Sequence, residues 1–212
     1  MHGEVDASRG PRTVIAAANV VGAGLASWLI FRDGVTPRDV ALLVCAWVYV
    51  IRLFLTSFVL LRRGVGWSEA AQVGSFVLFL QGFLGFLGSR SGVPWRALDW
   101  IGVVAYVLGS YLNTGSELQR KLWKARPENK GHLYTQGLFS LSMHVNYFGD
   151  VVLFSGFALL TTSPWAFLLP VVMAAGFVFA HIPMLDGYLA KRYGDEFTQW
   201  ASRTKKLVPF VY

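Results

Sequence analysis

The sequence has one cysteine, few charged residues and no stretch in which clustered Lys and Arg alternate with exposed aromatics. Each shortage excludes something. A single cysteine, Cys45, cannot form an internal disulfide or a cysteine-based metal site, and its mid-span position suits a small packing residue. His144 and His181 have carboxylates nearby, yet no HxxxH or HExxH spacing is present, so we expect no metal. Charged residues are 15% of the chain against about 25% in a soluble domain. With 54% hydrophobic residues and a mean hydropathy of +0.47, that shortfall indicates a polytopic membrane protein. Without a basic–aromatic platform, the net charge of +7 is no sign of nucleic-acid binding. Topology and anionic membrane lipids account for it.

Six stretches suit a hydrocarbon core that needs about 20 residues: 13–31, 39–61, 69–88, 97–114, 148–163 and 164–182. Ser163-Pro164 is the expected turn between the last two. The fold class is therefore all-α and polytopic, with about six transmembrane helices. The first span is too long for a signal-peptide core, and FRDGVTPRD after it has no small-residue cleavage pattern, so we expect it to be retained. Short loops leave room for one membrane domain, 1–212. It comprises a four-helix part, 13–114, and a cofactor-type loop with C-terminal helices, 115–212.

Charge orients the bundle. With six crossings and the N-terminus inside, the inner side holds Arg9, Arg12, Arg62, Arg63, Arg120, Lys121, Lys124, Arg126, Lys130, Lys191, Arg192, Arg203, Lys205 and Lys206. The outer side holds only Arg32, Arg38, Arg90 and Arg96. The positive-inside rule then assigns both termini to the cytoplasm. Near the end of the chain Leu185, Leu189, Tyr193, Phe197 and Trp200 recur at helical spacing beside Lys191, Arg192 and Glu196. This predicts an amphipathic helix at the cytoplasmic interface or capping the bundle.

One polar island interrupts the apolar chain: NTGSELQRKLWKARPENKGHLYTQGLFSLSMHVNYFGD, between Leu112 and Val151. Asn113 and Glu117 open it one helical turn apart, and Asn146 and Asp150 close it at the same spacing. Asn113, Glu117, Lys121 and Lys124 share one helical face, from an amide and a carboxylate at membrane depth to two cations at the surface. A carboxylate at that depth is costly unless paired or solvated. Either Glu117 and Lys121 form a structural helix pair, or the face is a groove for a ligand with hydrogen-bonding groups at one end and phosphates at the other. Asn146 is an N-cap candidate by itself; beside the first pair it reads as ligand binding, with His144 and Tyr147 flanking.

Other polar residues lie within spans. Tyr49 and Arg52 stand at i,i+3 in the second span, where a buried guanidinium needs partners or a polar cavity, unless it snorkels to the interface. Gln81 is either structural or part of a site. Asp186 and Tyr188, after His181, begin the tail and suit a helix start. Ala18, Gly22 and Ala26 form a small-residue stripe for close helix contact. GAGLAS in the same span is a near miss to the dinucleotide fingerprint, which requires a βαβ unit and is rejected here.

Several of these residues together resemble a known family. Gly109, Asn113, Ser116 and Glu117 are similar to the N-x-x-S-D element of steroid 5-alpha-reductases. GLFSLSMHVNYFGD resembles their G-L-F…N-F-x-G-E block, TKKLVPFVY their I-P-F tail, and Tyr49-x-x-Arg52 with Arg62-Arg63-Gly64 their Y-x-x-R…R-G segment. Gln81-Gly82 matches as well. The resemblance spans about residues 45–212 and extends to the related DUF1295 membrane proteins. It implies a membrane-embedded, NADPH-dependent reductase of a carbon–carbon double bond conjugated to a carbonyl in a lipophilic, steroid- or lipid-like substrate. By position, Asn113, Glu117, Asn146 and Asp150 would bind the cofactor, with Tyr147, His181 and Tyr188 beside them. Lys121 and Lys124 would stand for family arginines that hold phosphates. Tyr49, with Arg52, would serve catalysis by hydrogen bonding to the substrate carbonyl. The family's substrate-side Glu on an early span is missing; Asn19 is the only strongly polar side chain there. A second resemblance is to isoprenylcysteine-type methyltransferases using S-adenosylmethionine. Their R-H-P-x-Y and E-E-x-x-L elements correspond to the altered Met143-His144-Val145-Asn146-Tyr147 and Leu185-Asp186-Gly187-Tyr188-Leu189. A third possibility is a non-catalytic membrane protein on the same scaffold.

Overall fold

The structure, a computed structural model, describes residues 8–32 and 34–212. Residues 1–7, assigned to the cytoplasm by the charge asymmetry, and Asp33 of the first loop lie outside the described residues. Among the described residues every regular element is helical. Four helices are long and apolar enough to cross a membrane, Arg9–Phe31, Pro37–Leu60, Trp67–Gly88 and Pro164–Tyr193, and Val145–Thr161 is a shorter apolar helix. The protein is an all-helical, multi-pass membrane protein.

The first three expected spans correspond to long helices, and the later ones differ in extent. Ala97–Ser110 is only 14 residues long and runs through a widened turn, Tyr111–Gly115, straight into the polar helix Ser116–Lys124. The expected turn at Ser163-Pro164 begins at Thr162, in the left-handed region with φ 59°. Pro164 then opens a helical run that continues to Tyr193, well past the expected end at 182. The amphipathic tail is carried by two helices, because the chain turns at Gly194, φ 50°, between Tyr193 and Asp195.

The structure has two compact units. The first contains the described residues up to Val103 together with Gly156–Phe167. Its helices are α1 (Arg9–Phe31), α2 (Pro37–Leu55), α3 (Trp67–Gly88) and the start of α4 (Ala97–Ser110). Thr36 and Asp39 form a reciprocal capping box that starts α2, with Pro37 at the first helical position. Ala18, Gly22 and Ala26 face α3 so closely that a methyl added at Gly85 would lie 2.6 Å from the Ala26 Cα. The Gln81 amide donates to Asn19 Oδ1 (3.0 Å) and to the Ala46 carbonyl (3.2 Å), tying α1, α2 and α3 together. Gln81 is thus a helix-joining residue.

Two buried arginines close the ends of this unit. Arg12 donates to the carbonyls of Ser57 (2.7 Å), Leu61 (3.3 Å) and Arg63 (2.7 Å). It thereby satisfies groups left over where α2 ends in a widened turn, Thr56–Leu60. Arg38 makes a forked pair with Asp99 (Nε–Oδ1 3.1 Å, Nη2–Oδ2 2.6 Å), both side chains being 2% exposed. It also donates to the carbonyls of Val93 and Pro94.

The second unit contains Val104–Ser155 and Leu168–Tyr212. It holds the end of α4, α5 (Ser116–Lys124), the start of α6 (Val145–Thr161), α7 (Leu168–Gly176), α8 (Ile182–Tyr193) and α9 (Asp195–Arg203). Its core gathers Leu112, Tyr134, Phe139, Met143, Val145 and Trp200, with Leu189 and Phe197 packed against them. The tail is stitched to the residues before α6. The Met143 and His144 amides donate to the carbonyls of Lys205 (2.8 Å) and Lys206 (2.9 Å). The Ser142 hydroxyl bonds to the carbonyls of Lys206 (2.9 Å) and Leu207 (2.8 Å).

Candidate functional site

Two helix irregularities and one pair of glycines shape the polar end of the second unit. The turn Tyr111–Gly115 is a π-turn, as is Phe177–His181 between α7 and α8. Such turns redirect side chains and free a backbone carbonyl, and they are frequent at functional sites. The first carries Asn113 and the second His181. Gly149 admits the Asn113 backbone: a methyl there would lie 2.5 Å from the Asn113 nitrogen. Gly109 similarly admits the Leu153 backbone.

Asn113, Glu117 and Asn146 come together across that contact. The Asn113 amide donates to the Asn146 carbonyl (3.0 Å), and the Asn146 amide donates to Glu117 Oε1 (3.0 Å). Asn146 therefore lies inside α6 and reaches across to α5; it does not cap its own helix. Glu117 pairs through its other oxygen with Arg120 at i,i+3, and Lys121, the partner expected for a helix pair, is passed over. The Glu117 side chain is 16% exposed and that of Arg120 43%. A carboxylate with one oxygen bonded to an amide and the other to a half-exposed guanidinium has both oxygens satisfied despite its burial.

The remaining predicted residues have separate surroundings. Asp150 follows Asn146 by one turn on α6 and is half-buried. Lys121 is half-buried and forms no ion pair with a described residue, whereas Lys124 donates to the His132 carbonyl and to the Tyr193 hydroxyl (3.1 Å). Lys124 thus secures the connection after α5. Tyr188 is exposed and accepts from Arg192 (2.5 Å). Tyr147 stacks on His144 and Phe177, with His181 edge-on to it at 6.5 Å. Tyr49 and Arg52 belong to the first unit, where the Tyr49 carbonyl accepts from the Asn19 amide (3.5 Å) and Arg52 is buried.

Sequence reasoning left several contributors unassigned. Arg120 had a legible signal, its i,i+3 spacing from Glu117. The contact of His144 with Asp186 has no signal in the spacing: His144 Nε2 lies 2.8 Å from Asp186 Oδ1, and Lys206 Nζ 3.2 Å from Asp186 Oδ2. The segment after α5 is held by Glu196, which accepts from the Leu133 amide (2.7 Å) and lies 2.7 Å from His132 Nδ1. The Leu133 amide and then His132 hold the Glu196 carboxyl below its usual range. No group of three or more His, Cys, Asp or Glu suited to a metal occurs among the described residues.

The family described as "Protein of unknown function (DUF1295)" matches residues 71–204, which include Asn113, Glu117, Arg120 and Asn146. The protein is a member of the DUF1295 family. Among curated relatives, the steroid 5-alpha-reductase DET2 of Arabidopsis thaliana is 26% identical over 179 residues, covering 78% of this chain and 64% of its own. The probable O-methyltransferase ustE of Ustilaginoidea virens is 32% identical over 120 residues, 55% of this chain and 42% of that one. The protein-S-isoprenylcysteine O-methyltransferase B of Arabidopsis thaliana is 27% identical over 120 residues, 53% of this chain and 61% of that one. The DUF1295 chain thus spans between about two fifths and two thirds of these relatives' lengths.

Proposed function

We propose that this DUF1295 protein is a membrane-embedded reductase that uses NADPH to saturate a carbon–carbon double bond conjugated to a carbonyl in a lipophilic substrate. The observation that carries the reading is the interlocked Asn113–Asn146–Glu117 group with Arg120 against it. Amides and a carboxylate suit ribose hydroxyls and a carboxamide; the half-exposed Arg120 and the half-buried Lys121 suit phosphates. The donor set therefore fits a dinucleotide. When bound, NADPH would supply the hydride, and water the proton that completes saturation at the α-carbon. Asn113, Asn146 and Glu117 bind and orient; Asp150, Tyr147, His181 and Tyr188 complete the proposed cofactor set, with Lys124 ordering the loop beside it. Tyr49 keeps the role that its family match implies, donating a hydrogen bond to the substrate carbonyl and stabilising the enolate. Arg52, one turn along α2, is the second residue assigned to substrate chemistry. The reductase relative is matched over a larger share of this chain than either methyltransferase, which supports the choice. The charge asymmetry of the loops supports a cytoplasmic position for the polar group, where a soluble cofactor has access.

A specific contact favours a second reading. His144 and Asp186, which meet at 2.8 Å, belong to the two segments that resemble methyltransferase elements. An S-adenosylmethionine-dependent methyltransferase is therefore the alternative. Purified protein incubated separately with NADPH and S-adenosylmethionine distinguishes them, since a ligand of the folded state raises the unfolding midpoint. We expect stabilisation by NADPH. Stabilisation by S-adenosylmethionine alone would overturn the reductase, and a response to neither would favour a non-catalytic protein. Tyr49→Phe is expected to leave NADPH binding intact while slowing reduction of an enone.

A further inference from the structure

His144, Tyr147 and Phe177 form a column of nearly parallel rings. Centroids are 5.5 Å apart at 8° between His144 and Tyr147, and 4.5 Å apart at 5° between Tyr147 and Phe177. One end of the column is closed. His144 is 1% exposed and its Nε2 is held by Asp186, which Lys206 holds in turn. Phe177, at the other end, is half-buried, unlike Phe139, Phe154 and Phe157 at 1–3% exposure. His181 stands at the side of the column, its ring 6.0 Å from Phe177 at 64° and 6.5 Å from Tyr147 at 62°. The π-turn Phe177–His181 presents both rings.

Packing alone gives a poor account of this corner. His181 is exposed, and it is the only ionisable side chain between Pro164 and Leu185. An ionisable group in such an apolar segment needs a polar partner, because lipid solvates it badly. A ring face with an imidazole edge beside it has the chemistry that takes a flat heterocycle: the face stacks, and the edge meets in-plane nitrogens. Asn146, next to Tyr147 in sequence, carries the same helix into the Glu117 group.

We infer that Phe177 and His181 form the seat of an adenine ring, with the His144–Tyr147 stack as its rigid base. This rests on a nucleotide cofactor but not on the choice of NADPH, since S-adenosylmethionine carries the same base. Phe177 touches ligand in this reading. His144, locked by Asp186, is a positioning residue.

The test compares the whole protein with Phe177→Leu and Phe177→Trp, titrated with NADPH, S-adenosylhomocysteine and reduced nicotinamide mononucleotide, which lacks adenine. Phe177→Leu is expected to weaken NADPH about tenfold, the loss of one base–aromatic stack. It should leave the mononucleotide unchanged, and Phe177→Trp should restore NADPH affinity and report the ligand by quenching. Unchanged NADPH affinity in Phe177→Leu would overturn the adenine seat while leaving the reductase standing. Equal loss for the mononucleotide would assign the corner to nicotinamide and overturn it too. If S-adenosylhomocysteine alone binds and loses tenfold, the seat stands and the reductase falls. Binding of none of the three by the wild type overturns both. If Phe177→Leu does not fold, failure of Phe177→Trp to bind NADPH as the wild type does overturns the seat in its place.

Discussion

Replacing Asn146 tests the central contact, because the side chain spans two helices through one donor. Asn146→Ala removes the 3.0 Å bond to Glu117 Oε1 but keeps the carbonyl that accepts from Asn113. Hydrogen bonds to charged groups contribute about 1.5–3 kcal/mol. Arg120 remains on Glu117, and the carboxylate is 16% exposed, so the low end applies, about 1.5 kcal/mol. For a chain of this size that lowers the unfolding midpoint by about 3–6 °C. Asn146→Asp keeps the shape and reverses the polarity, setting two carboxylates against each other. Like charges 4 Å apart repel by about 4 kcal/mol at an effective dielectric of 20. One of the two must then take up a proton in the folded state, so its pKa rises above the unfolded value. The folded state binds more protons than the unfolded, and stability falls as pH rises through that raised pKa. Asn146→Asp should therefore be less stable than Asn146→Ala at pH 8, with the gap closing at pH 5. Thermal unfolding in detergent micelles at both pH values reads this directly. If the two variants unfold together at pH 8, Asn146 does not donate to Glu117 and the proposed site loses its centre.

Three further outcomes follow from particular contacts. Asp99→Asn leaves Arg38 buried without its counter-charge and should cost about 3–5 kcal/mol in denaturant or thermal unfolding, whereas Arg38→Met with Asp99→Leu should recover most of it; a loss below about 1 kcal/mol would contradict the burial. Gly149→Ala sets a methyl 2.5 Å from the Asn113 nitrogen and should weaken both stability and NADPH binding, while Gly24→Ala, with open space around it, should be neutral in both assays. Glu196 has a lowered folded pKa, so its hold on Leu133 and His132 is fully present above the ordinary glutamate value of about 4.3 and is lost as pH falls through the folded one. Glu196→Gln should accordingly speed proteolysis of segment 125–136 at pH 7, with the difference from wild type vanishing in acid; an equal difference at both pH values would exclude the carboxylate as the holding group.

What was legible in the sequence was local. Apolar length and helical periodicity located the first three spans and the small-residue stripe, because an apolar segment must satisfy its backbone within itself and small residues matter at close helix approach. The island was visible because an amide and a carboxylate at i,i+4 share a face whatever the tertiary structure. The choice of partner was different. Glu117 had cations at both i+3 and i+4, and spacing alone does not choose between Arg120 and Lys121. Asn146 taken alone suits a cap, and only the helix start at Val145, beside the tail pairing of Met143 and His144 with Lys205 and Lys206, sets it inside α6.

The sequence by itself determined a membrane-spanning helical chain with one polar island, since hydropathy and helical period are properties of contiguous residues. Only the tertiary structure decided what the island holds. The Asn146–Glu117 bond joins residues 29 apart, and the His144–Asp186 contact joins residues 42 apart. The Phe177 ring came from an apolar run with no mark upon it. Such pairs are selected by which helix faces meet, and no local pattern encodes that.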